Sequence, residues 1–447
     1  MIKYLSKYRN VAIIVLCAVI LQLFPRTNIF AARVLWPSEM NMQNDSINLD
    51  EILPKTATSS GSKKGFLFTG DPKEIFILGA GHIAINVTLS GKGHTYLQLL
   101  HGLKKRNINI TLVVCNDKAP IGINTTDAPA EFQNPHFYMM DFLSTNNGEW
   151  QRYNFDRLVD DYGEYVDNWI IGNEINSQAY NYYGPADVEE YTKVYCDTYK
   201  ICYDKIHEKN PDADVYISFD QGWDIPQQRK DNSSYNSFTS KYRYNAIEQL
   251  NLINKYLNKN IDWGIALHPY PSPLSSAKFW DDEYAGYNDA TTYDKERPCY
   301  LVLKNLDYAV TFMAKHQFLK PDGNVRNIIV SEFGVTSNNG EMMQAAGLYF
   351  LWEKTRDNPF IKFLLYYSEL DLDDFHFGLS DQNGKKRLAW AVFKDMDKDD
   401  ENAWCKDLLD DILKDTNYAD VNGMLITRAS LSELIANSTE DSSNPNP

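Results

Sequence analysis

Two short segments, Trp169-Ile-Ile-Gly-Asn-Glu174 and Ile328-Ile-Val-Ser-Glu332, each join an apolar run to a glutamate. A continuous apolar run is typical of a strand buried on both faces of a parallel sheet. A glutamate at the carboxyl end of such a strand is costly to bury unless it faces a cleft. The two segments therefore predict a parallel sheet with two carboxylates at the carboxyl ends of its strands.

Similar apolar segments recur along the chain and alternate with helix-like segments. The predicted strands are Ile75–Val87, Ile108–Cys115, Phe137–Phe142, Asn168–Gly172, Val215–Phe219, Asp262–Leu267, Asn327–Val330 and Ile361–Tyr367. The predicted helices include Tyr96–Lys105, Ala186–Glu208, Tyr244–Leu257, Val302–His316 and Glu341–Thr355. This alternation indicates a parallel sheet covered by helices, and eight strands favour a (β/α)8 TIM barrel. The sequence has no Gly-x-Gly-x-x-Gly turn, which disfavours a dinucleotide-binding sheet.

The composition separates one domain, residues 66–430, from three other segments. Residues 1–30 combine basic residues with an apolar run over 11–24, which has the length of a signal-peptide core and is short for a membrane span. Residues 31–65 have the composition of a flexible linker, and residues 431–447 that of a disordered tail. We expect an exported protein, secreted or at the cell surface, whose leader is either cleaved or retained as a membrane anchor.

Charge and cysteine content argue against several classes of function. The chain has 44 basic and 60 acidic residues, a net charge of −16, so nucleic acid and anionic membrane surfaces are unfavourable partners. Apart from Cys17 in the leader, the remaining cysteines are odd in number and do not indicate a disulfide framework. Cys196 and Cys202 are predicted to be buried and reduced.

One acidic cluster has some of the residue types of a metal site: Asp371, Asp373, Asp374 and His376. It lacks the glycine and the closing glutamate of a calcium loop. The cluster therefore predicts a solvated acidic loop, and we expect neither a metal nor another cofactor.

Strand order brings the two glutamates to one end of the predicted barrel. Glu174 follows the fourth predicted strand and Glu332 the seventh. Active sites of such barrels lie at the carboxyl ends of the strands. Glycoside hydrolysis uses two carboxyl groups, one as proton donor and one as nucleophile or base. The pair therefore predicts a glycosidase site and a carbohydrate substrate.

The residues around the glutamates resemble a known superfamily. Asn173-Glu174 and Ser331-Glu332-Phe-Gly are similar to the acid/base and nucleophile motifs of clan A glycoside hydrolases, (β/α)8 barrels with catalytic glutamates after strands four and seven. The resemblance runs from about residue 75 to 397, through His82-Ile-Ala-Ile-Asn86, Val215-Tyr-Ile-Ser-Phe-Asp220-Gln-Gly-Trp223, Asp262-Trp-Gly-Ile-Ala-Leu-His268-Pro-Tyr270-Pro, Gln344-Ala-Ala-Gly and Gly378-Leu-Ser-Asp-Gln-Asn-Gly-Lys. This longer set resembles an uncharacterised bacterial family of the same clan, known only as a domain of unknown function.

The resemblance implies a retaining mechanism, with Glu174 as general acid/base and Glu332 as nucleophile. It also implies that Asn173 binds the sugar hydroxyl next to the reacting carbon, a contact that strengthens in the transition state. His268 and Tyr270 follow the sixth strand, where the clan often places a residue that orients the nucleophile. A hydrogen-bonded core residue is the alternative for the histidine.

Four further residues are candidates for substrate binding: Asn86, Asp220, Trp223 and Glu369. Asp220 could bind a sugar hydroxyl and Trp223 could stack on a sugar face, with a loop anchor as the alternative. Glu369 could bind substrate or raise the pKa of Glu174. The clan usually has a tryptophan after strand eight, where this chain has a tyrosine pair ending at Tyr367.

Two other functions fit much of this sequence. A non-catalytic carbohydrate-binding barrel would keep the cleft, but binding alone does not require both glutamates together with Asn173. A transglycosylase would use the same chemistry with a sugar as the acceptor. A structural or adhesive role would require no activity on any glycan.

Overall fold

The computed structural model describes residues 61–90, 96–117, 137–225, 243–257, 261–280, 298–399, 401–414 and 416. These residues belong to one compact unit, Val34–Pro447. The predicted leader, the predicted tail and the linker up to residue 60 lie outside the described residues. None of the described helices is long and apolar enough to cross a membrane.

Eight strands form a closed barrel in which each strand pairs in parallel with its neighbours in the sequence, and the last pairs with the first. They are β1 (Lys64–Leu67), β2 (His82–Thr88), β3 (Asn109–Cys115), β4 (Asn168–Ile171), β5 (Asp214–Phe219), β6 (Trp263–Leu267), β7 (Ile328–Phe333) and β8 (Ile361–Tyr366). All eight carboxyl ends therefore meet at one end of the barrel.

The described α-helices lie between and after these strands. They are α1 (Pro72–Ile77), α2 (Leu97–Lys104), α3 (Gly148–Tyr162), α4 (Val188–Lys209), α5 (Ala246–Tyr256), α6 (Asp307–Met313), α7 (Glu341–Thr355), α8 (Leu388–Asp395) and α9 (Ala403–Leu413). Short 3₁₀ turns cover Leu303–Asn305, His316–Phe318 and Ser337–Asn339. Helix α4 begins where Asp187 accepts a hydrogen bond from the Glu190 N–H, the usual role of an N-cap aspartate.

Two apolar clusters account for the near-continuous hydrophobic strands. The larger packs the outer strand faces against the helices, and the smaller takes alternate positions that point into the barrel, among them Leu67, Ala84, Val113, Ile170, Tyr216, Ala266, Ile329 and Phe363. Gly264 makes room for one interior ring, because a Cβ there would lie 2.6 Å from Tyr216. Both strand faces are therefore buried.

The predicted (β/α)8 barrel is confirmed, but the predicted strand list differs from the observed strands in three places. The start of the predicted strand Ile75–Val87 is helix α1, and the segment Phe137–Phe142 makes only an isolated bridge through Tyr138. Lys64 and Gly65, assigned to the linker, begin β1. One strand was missed and one was added, so Glu174 still follows the fourth strand.

The described cysteines agree with the sequence prediction. Cys196 and Cys202 are free and buried on α4.

Candidate active site

Glu174 lies in a tight turn at the carboxyl end of β4. Gly172 and Glu174 both have left-handed backbone conformations, with φ of 77° and 47°. Glycine adopts this conformation freely, whereas a glutamate in it costs about 1–3 kcal/mol. The Glu174 N–H donates to the Ser218 hydroxyl of β5 at 3.2 Å, which helps to hold the turn. Strain of this kind often occurs at functional sites.

Glu332 is the penultimate residue of β7. The pairing of β7 with β8 is irregular between Val330 and Phe333, and such irregularities redirect side chains. The Tyr270 hydroxyl donates to Glu332 Oε1 at 2.7 Å, and His268 Nδ1 lies 4.0 Å from Glu332 Oε2. The carboxylate is therefore held by residues that follow β6.

The two glutamates lie close together, as predicted. His268 Nδ1 and one oxygen from each of Glu174 and Glu332 lie within 4.8 Å of one another. The carboxyl side chains keep 11% and 23% of their exposure, so neither is fully enclosed. The catalytic roles assigned to them stay predictions.

Burial raises the pKa of both carboxyl groups. The pKa of Glu174 lies well above its usual range because of burial and the negative charge of Asp220. Burial also raises the pKa of Glu332, but the hydrogen bond from Tyr270 opposes that rise. The arrangement therefore favours protonation of Glu174 over protonation of Glu332.

His268 lies next to Glu174 and is buried, with 3% of its surface exposed. Its Nδ1 is 2.8 Å from Glu174 Oε1, and its Nε2 is 3.3 Å from the Ser218 hydroxyl. Burial lowers the pKa of the imidazole, against the charges of Glu332 and Asp220. A neutral ring therefore bridges β5 and Glu174.

Asp220 anchors the loop that follows β5. Its Oδ1 accepts hydrogen bonds from the Asn176 side chain and the Gly222 N–H, both at 2.6 Å, and its Oδ2 pairs with Arg243 at 2.6 Å. Because both oxygens have partners within the protein, the structure favours the loop anchor over the sugar contact. The charge of Asp220 acts on Glu174, whose pKa it raises.

The stacking role predicted for Trp223 is wrong. The side chain has no exposed surface, and its ring makes edge contacts with Phe219 and Phe312 in the outer core. A fully enclosed ring cannot lie against a sugar. Trp223 is a core residue.

Two asparagines remain candidates for substrate binding. Asn173 precedes Glu174 in the turn and is half-buried. Asn86 lies on β2 two residues beyond Ala84, which faces the barrel interior, so alternation directs Asn86 to the same face nearer the carboxyl end. Contact with a sugar stays a prediction for both.

The role proposed for Glu369 in raising the pKa of Glu174 is not found. Its carboxylate accepts hydrogen bonds from the backbone N–H groups of Thr69 and Asp71, which follow β1. Burial raises its own pKa to about 7, while the groups that act on Glu174 are Asp220 and Arg243. Glu369 therefore ties the end of β8 to the end of β1.

The loop after β8 is only partly the solvated acidic loop that was predicted. The Asp371 side chain is 6% exposed, and Arg387 binds its two oxygens at 2.7 and 2.5 Å. Asp374 is exposed, as predicted. Asp373 is half-buried, its pKa is raised to about 6 by burial, and its charge raises the pKa of Glu332.

An aromatic wall forms beside Glu332. Tyr270 packs against Phe377 and Tyr367, with ring centroids 5.3 and 6.4 Å apart. Tyr367 follows β8, at the place where the resembling clan usually has a tryptophan. The wall is therefore built from residues after β6 and β8.

Sequence reasoning missed Ser218 and Arg243. A signal for Ser218 was present, because alternation along β5 places it on the same inward face as Tyr216. No comparable pattern marks Arg243, which lies before α5 and reaches Asp220 through the fold.

Within the described residues, one group of side chains has the donors for a metal ion: Glu174, His268 and Glu332. Imidazole nitrogen and carboxylate oxygen are ligands that Zn²⁺ accepts. Here His268 Nδ1 is already hydrogen-bonded to Glu174, and Glu332 accepts from Tyr270. A metal at this place would compete with those hydrogen bonds.

The fold is that of glycoside hydrolases with an eight-stranded parallel barrel. A family 39 glycoside hydrolase from the gut symbiont Bacteroides cellulosilyticus WH2 is similar, with 17% identity and a TM-score of 0.51 over 76% of this chain and 64% of that one. The chain therefore spans less than two thirds of that enzyme's length.

Two further structures resemble the chain with lower scores. They are the GH39 enzyme from Xanthomonas axonopodis pv. citri (13% identity, TM-score 0.45, 76% of this chain and 69% of that one) and a beta-glucosidase from Thermotoga maritima (14% identity, TM-score 0.43, 72% and 84%). No curated protein matches the chain by sequence.

The sequence profile of a family of unknown function, DUF5722, matches residues 93–414. The chain belongs to this family, and the match includes both glutamates and their histidine and tyrosine partners.

Proposed function

We propose that this protein is a retaining glycoside hydrolase that cleaves O-glycosidic bonds of a polysaccharide or oligosaccharide. The observation that carries the proposal is the proximity of Glu174 and Glu332, with an oxygen of each in one group of atoms that spans 4.8 Å. Carboxyl groups of retaining enzymes lie roughly 5 Å apart, whereas inverting enzymes separate them by about 6.5–9.5 Å to admit a water. The spacing supports direct attack by one carboxylate.

In the first step the Glu332 carboxylate attacks the anomeric carbon while Glu174 gives its proton to the departing glycosidic oxygen. The bond to the leaving sugar breaks as the bond to Glu332 forms, which produces a covalent glycosyl-enzyme. In the second step the Glu174 carboxylate takes a proton from water, and the water oxygen displaces Glu332. The protonation preferences of the two groups match these roles.

A screen against aryl glycosides and polysaccharides tests the proposal, with NMR of the anomeric signals early in the reaction. We expect the first product to keep the anomeric configuration of the substrate. Inverted product would exclude a glycosyl-enzyme. Binding without turnover on every glycan would identify a non-catalytic barrel, and transfer to an added sugar acceptor in preference to water would identify a transglycosylase.

Tyr270→Phe should shift the acidic limb of the pH–rate profile. Loss of the hydroxyl removes a hydrogen bond that favours ionised Glu332, so the pKa of Glu332 rises and the limb moves to higher pH by about one unit. The measurement is kcat/KM against pH.

Tyr199→Phe is the matched control, because the Tyr199 hydroxyl donates to the Val215 carbonyl outside the barrel. It should lower stability and leave the acidic limb in place. An unchanged limb in Tyr270→Phe would show that this hydrogen bond does not control the ionisation of Glu332.

We also propose that the protein is exported, on the evidence of the basic residues and the apolar run in the leader. Cell fractionation of the full-length chain should recover it outside the cytoplasm, either released or attached to the membrane. Recovery of intact protein from the cytosol would refute this.

A further inference from the structure

The hydroxyl of Ser218 forms a closed ring of hydrogen bonds with Glu174 and His268. The Glu174 N–H lies 3.2 Å from Ser218 Oγ, Ser218 Oγ lies 3.3 Å from His268 Nε2, and His268 Nδ1 lies 2.8 Å from Glu174 Oε1. Glu174 therefore takes part in this ring of hydrogen bonds twice, once through its backbone N–H and once through its carboxyl group. All three residues are buried.

One contact in this ring has a fixed direction. A backbone N–H can only donate, so Ser218 Oγ must accept from Glu174. Ser218 is fully buried, and among the described residues His268 Nε2 is the acceptor within reach of its hydroxyl proton. If the proton pointed elsewhere it would be a buried, unsatisfied donor, which is unfavourable.

Glu174 alone does not decide which imidazole nitrogen carries the proton. A protonated carboxyl group can donate to a bare Nδ1 or accept from an Nδ1–H, so both tautomers satisfy that contact. The choice must come from the other nitrogen, as is common for functional histidines.

We propose that Ser218 fixes His268 as the Nδ1–H tautomer and thereby places the proton of Glu174 on Oε2. The serine hydroxyl donates to Nε2, Nδ1–H donates to Glu174 Oε1, and the carboxyl proton is left on the other oxygen. With the opposite tautomer, Nδ1 would bind the carboxyl proton and hold it away from a leaving group. Ser218 is in this sense a positioning residue.

The same tautomer serves both steps of the proposed reaction. When Glu174 has given its proton to the leaving group, its carboxylate still accepts from Nδ1–H, and no proton on the histidine has to move. The kinetic part of the inference rests on the proposed function, whereas the tautomer itself does not.

Nitrogen-15 NMR of the histidine rings in the full chain tests the tautomer directly. The chain has 8 histidines, and a His268→Gln variant identifies the signals of His268. We expect a protonated Nδ1 and an unprotonated Nε2 near neutral pH. A protonated Nε2 in the wild-type protein overturns the inference, whether or not the protein is a glycosidase.

Ser218→Ala supplies the kinetic test. It should lower kcat for substrates with poor leaving groups by roughly 10- to 100-fold and change kcat for activated aryl glycosides by less than about threefold. It should also move the basic limb of the pH profile to higher pH. The limb moves in this direction because the hydrogen bond that favours ionised Glu174 is weakened. The other titratable and charged groups that face this site are unchanged in the variant; they are Glu332, Asp220, Arg243, Tyr180 and Tyr367.

Two further variants separate the tautomer from folding. Ser218→Thr keeps the hydroxyl and should restore the leaving-group pattern. Thr198→Val removes another buried hydroxyl, which accepts a hydrogen bond from the Phe142 N–H. This variant should lower the free energy of unfolding without moving the basic limb of the pH profile. Equal losses on all substrates in Ser218→Ala would assign Ser218 to folding alone, and if that variant does not fold, the wild-type spectrum decides.

Discussion

Glu332→Ala is expected to lose turnover on every substrate, by on the order of 10⁴-fold or more, because no glycosyl-enzyme can form without the carboxylate. The loss should not depend on the leaving group, since even an activated glycoside requires the nucleophile. The measurement is kcat/KM on an aryl glycoside and on the natural glycan found in the screen.

Azide or formate should restore part of this activity, because a small anion fits the space of the missing carboxylate. The product formed with azide should have the inverted configuration, since the anion attacks once from the nucleophile's side. Glu164→Ala is a suitable control. Glu164 lies exposed in the turn before β4 and forms an ion pair with Lys209 at the end of α4, so activity should not change. Wild-type activity in Glu332→Ala would refute the proposed mechanism.

Glu174→Ala is expected to discriminate sharply between leaving groups. Sugar or alkyl leaving groups need a proton, so their cleavage should fall by roughly 10²- to 10⁴-fold, whereas activated aryl glycosides should form the glycosyl-enzyme at a near-normal rate. The basic limb of the pH profile should disappear, because the buried acid whose pKa is raised is gone.

The product formed with azide should keep the substrate configuration in this variant, since the anion attacks the intermediate on Glu332. Glu174→Gln is the matched variant, because glutamine keeps the size of the side chain and removes only its ability to ionise. Both variants should give the same leaving-group pattern. Retention in Glu332→Ala together with inversion in Glu174→Ala would mean that the two roles are exchanged.

The barrel and the positions of both glutamates could be predicted from sequence because they depend on local patterns. A parallel strand buried on both faces requires an apolar run, and the end of that run marks the carboxyl end of the barrel. The strand count was right because one missed strand, β1, was offset by one falsely predicted strand, Phe137–Phe142. The segment Phe137–Phe142 is as apolar as a strand, but it packs as a loop against Tyr182.

The positions of other predicted site residues depend on contacts between distant parts of the chain. Trp223 has an aromatic side chain of the kind that stacks on sugars, yet the loop after β5 places it in the outer core. Glu369 is held by backbone N–H groups about 300 positions earlier in the sequence. No local pattern specifies such pairings, because the partners are distant in the sequence. Those of Glu369 exist only once β8 has closed onto β1.

The sequence alone therefore determined a (β/α)8 barrel with two glutamates at the ends of β4 and β7, since apolar periodicity and strand ends are properties of short segments. The tertiary structure decided how those glutamates are held and charged. The irregular end of β7 brings Glu332 to Tyr270, while burial and Asp220 raise the pKa of Glu174. The physical reason is that hydrogen bonds and desolvation depend on atoms a few ångströms apart in space, whatever their separation in the chain.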